Sequence, residues 1–530
     1  MTCNKAHITP EHQYGIRSTM IATTATAALL GIDAYTVELE VDLARSGLPA
    51  YIMVGLAEGA VRESKERVFT ALKNSGFKLP PSRITVNLAP ADVRKAGSSY
   101  DLPLALGLLA ANDTLQRRQL HGIYSAGELS LTGEVKPVPG VLPMALKARD
   151  QQARCLLVPR GNAAEAAVVK GLVVVPVDTL GQAVRIVAGE EEARPAVCDI
   201  EELWAAREQH QVDFSEVKGQ EHAKRAIEIA AAGGHNLLFM GPPGSGKTML
   251  ARRIPSVLPP LAFDEALEVT KIYSVATMLE EGRPLLVTRP FRSPHHTISD
   301  AGLIGGGHYP RPGEVSLGHR GVLFLDELPE FKKNVLEVLR QPLEDGQVTI
   351  SRAAVSLTYP AAFMLVAAMN PCPCGFRTHE QHPCTCTPQQ LQRYRARLSG
   401  PLLDRIDLQV EVPTVPYKEL RQDRGSLDSA TMRSRIEQAR AVQGQRYRDL
   451  PPRTNSDLSG RWLQQFCALK SQEHDFLEQA VRRLGLSARA FTRILRIART
   501  IADLAGDPEL SVPHLAEALN YRFLDREERF

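Results

Sequence analysis

The spacing of apolar residues changes twice along the chain. In the first third, short segments that alternate apolar and polar residues, or are apolar throughout, predict β-strands at residues 36–43, 84–90 and 154–159. Helical patterns lie between them, one from Glu58 to Ser75 before a glycine stop and one over residues 102–111. This alternation of strands and helices predicts an α/β domain.

A polar, acidic segment then separates this domain from a second alternating region, in which apolar runs predict buried strands at 236–240, 321–327 and 363–370. After Pro416 the spacing becomes helical as far as the C-terminus. We therefore predict an extension without regular structure at 1–19, an α/β domain at 20–190, a linker at 191–212, a second α/β domain at 213–416 with a cysteine-rich insertion at 370–388, and a helical domain at 417–530.

Composition narrows the protein class. The chain has 530 residues, of which 44% are hydrophobic and 23% charged, as in multidomain globular proteins. No apolar run approaches the ~18 residues that a membrane span needs. The mildly apolar stretch from Thr19 to Gly31 is a poor signal peptide, because an acidic, proline-containing segment precedes it and no clean cleavage site follows. We expect a cytoplasmic protein without a membrane partner.

One motif has the form of a phosphate-binding loop. GPPGSGKT at 241–248 matches G-x4-G-K-[ST], with a predicted strand before it and a helix predicted to begin near Met249. Its backbone N–H groups and the helix N-terminus would bind phosphates, Lys247 would meet the β- and γ-phosphates, and the Thr248 hydroxyl would reach Mg²⁺. The predicted loop residues are Gly241, Pro242, Pro243, Gly244, Ser245, Gly246, Lys247 and Thr248.

Further polar residues follow the later strands. Asp326 and Glu327 end one apolar run, where ligands bind in open α/β sheets, and would hold Mg²⁺ and orient or deprotonate the attacking water. Asn370 ends the next strand and would reach the same water. Capping of a core strand by the acidic pair, and a turn role for Asn370, are the alternatives. Arg405 either pairs with Asp404 or Asp407 in its own chain, or reaches a neighbouring subunit.

Together these motifs resemble the AAA+ ATPases, and in particular their magnesium-chelatase-like branch. Over residues 20–520 the chain is similar to the bacterial ComM/YifB family, on the segments 218–248, 291–307 and 370–375. The resemblance implies an AAA+ ATPase core with a helical lid, assembled as a homo-hexameric ring with ATP and Mg²⁺ at the subunit interfaces. The roles it implies are Walker lysine for Lys247, Walker B pair for Asp326 and Glu327, first sensor for Asn370 and arginine finger for Arg405.

The resemblance also implies a second sensor in the lid. Residues 488–505 predict a helix that Ser487 caps and Gly506 stops, and Arg489 matches the sensor position at its start. Arg493 and Arg496 share its helix face. A solvated basic face is the alternative for these arginines.

Four of the eight cysteines lie within fifteen residues in the pattern C-x-C-x9-C-x-C. Four thiolates suit tetrahedral, structural Zn²⁺, with His379 or His382 as substitute ligands, whereas free thiols or a redox pair are the alternatives. The predicted ligands are Cys372, Cys374, Cys384 and Cys386.

Two features point towards DNA. Residues 347–360 predict a hairpin that turns near Arg352 and Ala353, where this AAA+ branch carries a pore loop, so Arg352 would contact a phosphate backbone. Residues 391–500 hold 21 Lys and Arg against 12 Asp and Glu, although solvated helix faces would produce the same excess. His295 and His296, in a second family insertion, are interpreted as a polar turn pair rather than a metal pair.

Residues 92–109 and 127–149 resemble the proteolytic domain of the Lon family. Ser99 falls at the nucleophile, but the activating lysine would fall at Leu142, and Lys147 lies five residues further on. A serine without a base is a poor nucleophile, which predicts a binding or assembly module.

The resemblance implies an ATP-dependent DNA motor, a branch-migration helicase that acts on single-stranded or branched recombination intermediates in natural transformation. Two alternatives remain: a magnesium-chelatase-like ATPase that remodels a protein partner, and an ATP-dependent protease.

Overall fold

The structure is a computed structural model that describes residues 21–45, 48–206, 212–280, 282–307, 310–352, 356–377, 382–416 and 427–522. It divides into two compact units, one that contains the residues up to Cys198 apart from 30–32, and one that contains 30–32 and the residues from Asp199 onwards. The extension predicted at 1–19 lies outside the described residues, as do Ala353 and His379. The mixed α/β fold that the sequence predicts is confirmed.

The N-terminal unit is built on a seven-stranded sheet in the order β3-β4-β2-β1-β5-β8-β9. Its strands are β1 Ile21–Leu30, β2 Asp33–Ala44, β3 Ala50–Val54, β4 Arg83–Ala89, β5 Ile123–Ser125, β6 Glu128–Leu129, β7 Val135–Lys136, β8 Cys155–Pro159 and β9 Val174–Val177. Its helices are α1 Gly59–Asn74, α2 Asp101–Ala111, α3 Val141–Asp150, α4 Arg160–Ala167 and α5 Leu180–Ala188.

The period-two pattern of β2 places Val37, Leu39, Val41 and Leu43 in the core of this unit, and α2 is buried along its whole length. The apolar stretch from Thr19 to Gly31 contributes strand β1, which includes three threonines, rather than a signal helix. Because threonine is β-branched, it packs well on a pleated sheet.

The C-terminal unit is built on a five-stranded sheet in the order β11-β14-β17-β10-β18, and every described pairing in it is parallel. Its five strands are β10 Leu237–Met240, β11 Phe291–Arg292, β14 Val322–Leu325, β17 Met364–Met369 and β18 Leu408–Glu411. Its helices before the lid are α6 Ile200–Ala206, α7 Glu221–Gly233, α8 Lys247–Val257, α9 Phe263–Val275, α10 Asp300–Ile304, α11 Glu314–Leu317, α12 Lys333–Glu337, α13 Arg340–Asp345, α14 Pro388–Arg395 and α15 Gly400–Leu403.

Both faces of this sheet are buried around β10, β14 and β17, which explains why these three strands are apolar throughout rather than alternating. On β10, Leu237 and Phe239 pack into one core, and Leu238 and Met240 pack into the other. Because the strands are parallel, the residues that follow β14, β17 and β10 all emerge at one edge of the sheet, which we call the carboxyl edge. Residues that precede the strands lie at the amino edge.

Two small antiparallel hairpins project from this core. The first joins β12 Gly305–Gly306 to β13 Arg311–Pro312, and the second joins β15 Gln347–Ser351 to β16 Ser356–Pro360. They contact each other, since the Tyr359 hydroxyl donates a hydrogen bond to the carbonyl oxygen of Pro310 at 2.7 Å.

The helical lid, residues 427–522, follows the sheet. Its helices are α16 Ser429–Arg446, α17 Gly460–Phe466, α18 Ser471–Leu484, α19 Ala488–Ala505 and α20 Val512–Asn520. As predicted, Ser487 caps α19, with its hydroxyl accepting from the Ala490 amide at 3.2 Å, and Gly506 ends it with a φ of 78°. Within the described ranges, no helix has the length and apolar character needed to cross a membrane.

Candidate active site

The phosphate-binding loop connects β10 to α8, as the motif predicts. Gly244 and Gly246 have φ values of 78° and 90°, which glycine adopts without strain. A Cβ at Gly241 would lie 2.1 Å from the carbonyl oxygen of Val412, so the loop starts under the end of β18 with no room for a side chain. Gly246 caps α8, whose first N–H groups therefore face the loop.

Lys247 lies at the centre of the site. Its ammonium group donates to the carbonyl oxygens of Gly241 and Pro242 at 2.7 and 2.9 Å, and to the side-chain oxygen of Asn370 at 3.2 Å. Burial lowers the pKa of Lys247, while the nearby carboxylates of Asp326 and Glu327 raise it. A half-buried cation whose partners are mainly neutral carbonyls is suited to bind an anion.

Thr248 and Asp326 are brought together as predicted. The threonine hydroxyl donates to a carboxylate oxygen of Asp326 at 2.7 Å, and the other oxygen accepts from the Glu327 amide at 3.0 Å. Glu327 adopts a left-handed conformation, with a φ of 53°, and its side chain is 58% exposed. This turn separates the two carboxylates, so that Asp326 faces Thr248 while Glu327 projects from the sheet edge.

Asn370 completes the carboxyl edge. It directly follows β17, which lies between β14 and β10 in the sheet, so its amide reaches Lys247 while its carbonyl oxygen accepts from the Tyr394 hydroxyl at 3.2 Å. Strand order therefore brings together three motifs that are far apart in sequence.

The residues present fit a nucleoside triphosphate and Mg²⁺. The buried Ser245 hydroxyl has no hydrogen-bond partner among the described residues, and the loop amides, Lys247 and the Thr248–Asp326 pair supply the phosphate donors and the oxygen ligands that such a group needs. When bound, Mg²⁺ neutralises charge on the phosphates. Lys247 and the loop would hold the nucleotide, and Glu327 would accept a proton from water or orient it.

Arg405 lies at the opposite edge of the sheet. It comes three residues before β18, and its carbonyl oxygen accepts from the side chain of Asn236, which precedes β10. Its guanidinium forms an ion pair with Glu344 and donates to the carbonyl oxygen of Pro401 at 2.6 Å. The side-chain alternatives considered above, Asp404 and Asp407, are therefore not its partners.

Arg489 lies at the same edge. It is 71% exposed and forms an ion pair with Asp404 at 2.7 Å. Arg493 is only 8% exposed and lies 3.7 Å from Asp404 and 3.8 Å from Asp407. The alternative of a solvated basic face is therefore wrong for Arg493, and also for Arg496, whose Nε donates to the Leu458 carbonyl oxygen at 2.6 Å.

The distance between the two edges decides what these arginines can reach. Strands β10 and β18 are paired from Leu237–Leu408 to Met240–Glu411, a span of four residues or about 13 Å at ~3.3 Å per residue. Burial, with the charges of Arg340 and Arg489, lowers the pKa of Arg405, and an anion brought close would relieve that repulsion. Arg405 and Arg489 thus lie away from the phosphate loop of their own chain.

Sequence reasoning missed the group that supports this edge. The buried His235 lies 3.4 Å from Asp407 through Nδ1 and 2.8 Å from the Thr500 hydroxyl through Nε2. Burial acts to raise the pKa of Asp407, but His235, Arg496 and Arg493 together hold it below the ordinary value. The residues around His235 have no sequence pattern from which its contact with Asp407 could be predicted.

The four cysteines form one cluster. Their sulfur atoms all lie within 4.8 Å of one another, with 3.3 Å between Cys372 and Cys374. Around Zn²⁺ at ~2.3 Å, tetrahedral thiolates would lie about 3.8 Å apart. Backbone N–H groups of Phe376 and Thr385 lower the pKa of Cys374 to about 5, which favours its thiolate, whereas burial raises the pKa of Cys372 and of Cys386. The described members are Cys372, Cys374, Cys384 and Cys386.

The cysteine cluster contacts the phosphate-binding loop. A Cβ at Gly375 would lie 2.6 Å from Cδ of Pro243, so the two loops touch without space between them. Gly375 also has a φ of 85°, which favours glycine for a second reason.

Arg352 directly follows β15, is exposed, and lies against the first hairpin. One nitrogen of its guanidinium is 3.3 Å from the position that a Cβ of Gly306 would occupy. The two hairpins therefore present one continuous surface that carries this arginine. Residues 353–355, beyond it, lie outside the described residues.

In the N-terminal unit Ser99 is 7% exposed, and Leu142 is fully buried in α3. Lys95, four residues before Ser99, is buried as well, but its ammonium donates to the carbonyl oxygen of Pro90. The hydrocarbon side chain of Leu142 offers no base.

Three family models match the chain. Residues 213–420 match the magnesium chelatase subunit ChlI model, residues 39–162 match a second ChlI model, and residues 426–522 match the C-terminal ChlI model. The Magnesium-chelatase 38 kDa subunit of Cereibacter sphaeroides is 27% identical over 175 residues, which is 30% of this chain and 52% of that protein.

Two relatives match over almost the whole length. The Competence protein ComM of Haemophilus influenzae is 44% identical over 510 residues, covering 96% of this chain and 98% of the relative. The protein YifB of Escherichia coli is 44% identical over 503 residues, covering 94% and 97%. With its parallel sheet, phosphate-binding loop and acidic pair, the chain belongs to the ComM/YifB family of magnesium-chelatase-like AAA+ ATPases.

Proposed function

We propose that this protein is an ATP-driven DNA motor that acts as a homo-hexameric ring and drives branch migration of recombination intermediates during natural transformation. The observation that carries the ring is the separation of Arg405 from the phosphate loop by the length of the sheet. An arginine at the amino edge serves hydrolysis only at the carboxyl edge of another copy, and copies arranged head to tail form a ring when the rotation between neighbours closes. A competence protein among the relatives supports the biological setting.

Within the ring, each site would combine two subunits. Lys247, Thr248 and Asp326 of one subunit would bind ATP with Mg²⁺, and Glu327 and Asn370 would position the water. Arg405 and Arg489 of the neighbour would approach the γ-phosphate, where they would exchange Glu344 and Asp404 for phosphate oxygens. Such an exchange favours the transition state, in which charge moves onto those oxygens.

DNA would bind at the surface of the two hairpins, where Arg352 is exposed. Guanidinium contacts to phosphates hold a strand without reading its bases, which a motor needs. The local excess of positive charge over residues 391–500 supports the same partner.

The test is ATPase activity with and without four-way DNA, together with DNA binding in an ATP analogue at several salt concentrations. We expect stimulation by DNA and a log–log salt slope of about −0.9 per duplex phosphate neutralised. Arg352→Ala should weaken binding equally for all sequences and reduce the slope by about one contact. Arg283→Ala, which removes an exposed arginine paired with Glu280 and lies outside residues 391–500, is the matched control. Absence of DNA binding at low salt would sink the proposal.

A second candidate is an ATPase that remodels a protein partner, favoured by the match to the magnesium-chelatase 38 kDa subunit. It predicts ATPase stimulation by a protein and none by DNA. We also propose that the four cysteines bind one structural Zn²⁺, which elemental analysis of the purified protein would detect at about one ion per chain.

A further inference from the structure

Asn236 contacts the segments on both sides of the strand that it precedes. It comes directly before β10, which lies between β17 and β18 in the sheet. Its side-chain amide donates to the carbonyl oxygen of Arg405 at 2.9 Å, and its side-chain oxygen accepts from the Leu365 amide at 2.8 Å. Leu365 is the second residue of β17, and Arg405 lies three residues before β18. One side chain therefore ties the backbone of Arg405 to two strands of the sheet.

The main chain of Asn236 holds the same segment independently of its side chain. Its carbonyl oxygen accepts from the amides of Asp407 and Leu408 at 3.1 and 3.0 Å, and its own amide donates to the Asp407 carboxylate at 3.3 Å. These contacts do not depend on which side chain this position carries. A substitution of Asn236 should therefore leave β10 and β18 paired and remove only the side-chain bonds to the Arg405 carbonyl and to β17.

The guanidinium of Arg405 is held less firmly than its backbone. It contacts Glu344 and the carbonyl oxygen of Pro401, and its buried Nε has no hydrogen-bond partner among the described residues. To serve a neighbouring subunit the guanidinium must leave Glu344, and the position of the Arg405 backbone then determines what it can reach. A misplacement of about 1 Å in a group that acts on the reactants costs about 10²-fold in rate. The Arg405 backbone thus needs an anchor that remains when the contact with Glu344 is lost.

We propose that Asn236 is a positioning residue for Arg405, which holds its backbone so that the guanidinium reaches the γ-phosphate bound by the neighbouring subunit. This inference rests on the proposed ring and concerns hydrolysis alone, so it does not depend on DNA. Asn236 lies at the amino edge, whereas the phosphate-binding loop of its own chain follows the opposite end of β10. Loss of its side chain should therefore impair the site of the neighbour and spare the site of its own chain.

The experiment uses full-length wild type, Asn236→Ala, Asn236→Asp, Arg405→Ala and Glu327→Gln. The control Asn112→Ala removes an amide that also donates to a backbone carbonyl oxygen, that of Lys78 at 3.3 Å in the N-terminal unit. Steady-state ATPase is measured for each protein alone and for equal mixtures after subunit exchange. ATP affinity is measured with a fluorescent ATP analogue.

Asn236→Ala should lower kcat about 10- to 10²-fold, the cost of a misplaced group, with the ATP affinity of wild type. Mixed with Glu327→Gln it should regain activity, because Asn236→Ala subunits supply intact carboxyl edges and Glu327→Gln subunits supply intact amino edges. Mixed with Arg405→Ala it should gain nothing, since neither variant has a working amino edge. Asn236→Asp keeps an acceptor for the Leu365 amide but has no donor for the Arg405 carbonyl, so its kcat should fall as well. The Asn112→Ala control should match wild type.

A wild-type kcat in Asn236→Ala overturns the positioning role. So does a defect that Glu327→Gln subunits do not restore, or that comes with weakened ATP binding, because a general loss of structure has those signatures. If Asn236→Ala does not fold, Asn236→Asp decides, and a wild-type kcat in that variant overturns the role. Arg405→Ala as active as wild type overturns the proposed ring and this inference with it, whereas an inactive Arg405→Ala beside a fully active Asn236→Ala overturns this inference alone.

Discussion

The two edges of the five-stranded sheet hold their charges in different ways. At the carboxyl edge Lys247 donates to carbonyl and amide oxygens, and Asp326 is held by the Thr248 hydroxyl, so the hydrogen-bond partners of this cation are neutral. At the amino edge each arginine has an acidic partner, Glu344 for Arg405 and Asp404 for Arg489. One edge is thus arranged to receive a polyanion, and the other holds cations that must first leave a partner.

The prediction with the largest expected effect concerns rings that combine subunits altered at the carboxyl edge with subunits altered at the amino edge. Glu327→Gln and Arg405→Ala should each lower kcat by about 10²-fold or more, because one loses the carboxylate at the water and the other the cation at the γ-phosphate. Equal mixtures should regain activity at roughly one quarter of the sites, since each intact site needs one half from each variant. The measurement is ATPase activity after subunit exchange.

If Arg405→Ala is about as active as wild type, Arg405 at the amino edge takes no part in hydrolysis at the carboxyl edge of a neighbouring subunit. The control is a mixture of Glu327→Gln with Lys247→Ala: both changes lie at the carboxyl edge, and a mixed ring has no interface with an intact carboxyl edge, so it should stay inactive.

A second test separates binding from hydrolysis within the carboxyl edge. Lys247→Ala should lower ATP affinity by about tenfold or more, because a half-buried charge-assisted contact of ~1.5–3 kcal/mol is lost. Glu327→Gln should bind ATP normally, since its side chain projects from the edge. Equilibrium binding of a fluorescent ATP analogue measures both, and equal affinities for the two variants would contradict the assignment.

The cysteine cluster provides a third test, of how the carboxyl edge is supported. Replacing Cys372 and Cys384 by serine should remove the metal and lower the free energy of unfolding by several kcal/mol at most, since ligation folds only this loop. ATP affinity should fall as well, because Gly375 packs on Pro243. Replacing Cys155, a half-buried cysteine of the N-terminal unit, should change neither quantity. Zinc content, thermal unfolding and nucleotide binding are measured together, and a metal-free wild type of normal stability would refute the zinc site.

The smallest expected effect concerns the ion pair between Arg489 and Asp404 at the amino edge. Asp404→Asn removes the carboxylate that pairs with the exposed Arg489 and that lies 3.7 Å from the buried Arg493. Because Arg493 keeps Asp407 at 3.8 Å, stability should change by less than about 1 kcal/mol. If Arg489 must leave Asp404 to act, the same change should leave hydrolysis equal or faster. A loss of activity as large as that of Arg489→Ala would mean that Asp404 positions the arginine instead of restraining it.

Much of the carboxyl edge could be predicted from sequence because each motif directly follows an apolar strand. The loop that contains Lys247 follows β10, and Asn370 follows β17. Parallel pairing then brings them together. Helix α19 of the lid could be predicted equally well, because Ser487 and Gly506 mark its ends. These predictions depend on local signals.

The contacts at the amino edge could not be predicted from sequence in the same way. Strand β18 has four residues, too few for a periodic pattern, and the sheet order does not follow the sequence order. The position of Arg405 near Glu344 depends on both. His296 was interpreted as one of two polar turn residues, but its Nδ1 lies 3.5 Å from a carboxylate oxygen of Glu327. This contact arises only when a loop and a strand end that are 31 positions apart in sequence meet in space.

The contact of Gly375 with Pro243 has a practical consequence for anyone who prepares this protein. If the four cysteines bind Zn²⁺ as we propose, a buffer with a strong chelator, or storage without a thiol reductant, should yield folded protein that binds ATP weakly, because the two loops touch. The metal content and the number of free thiols should therefore be measured in any inactive preparation before the loss of activity is attributed to a substitution. Assays on different preparations are comparable only when these two quantities agree.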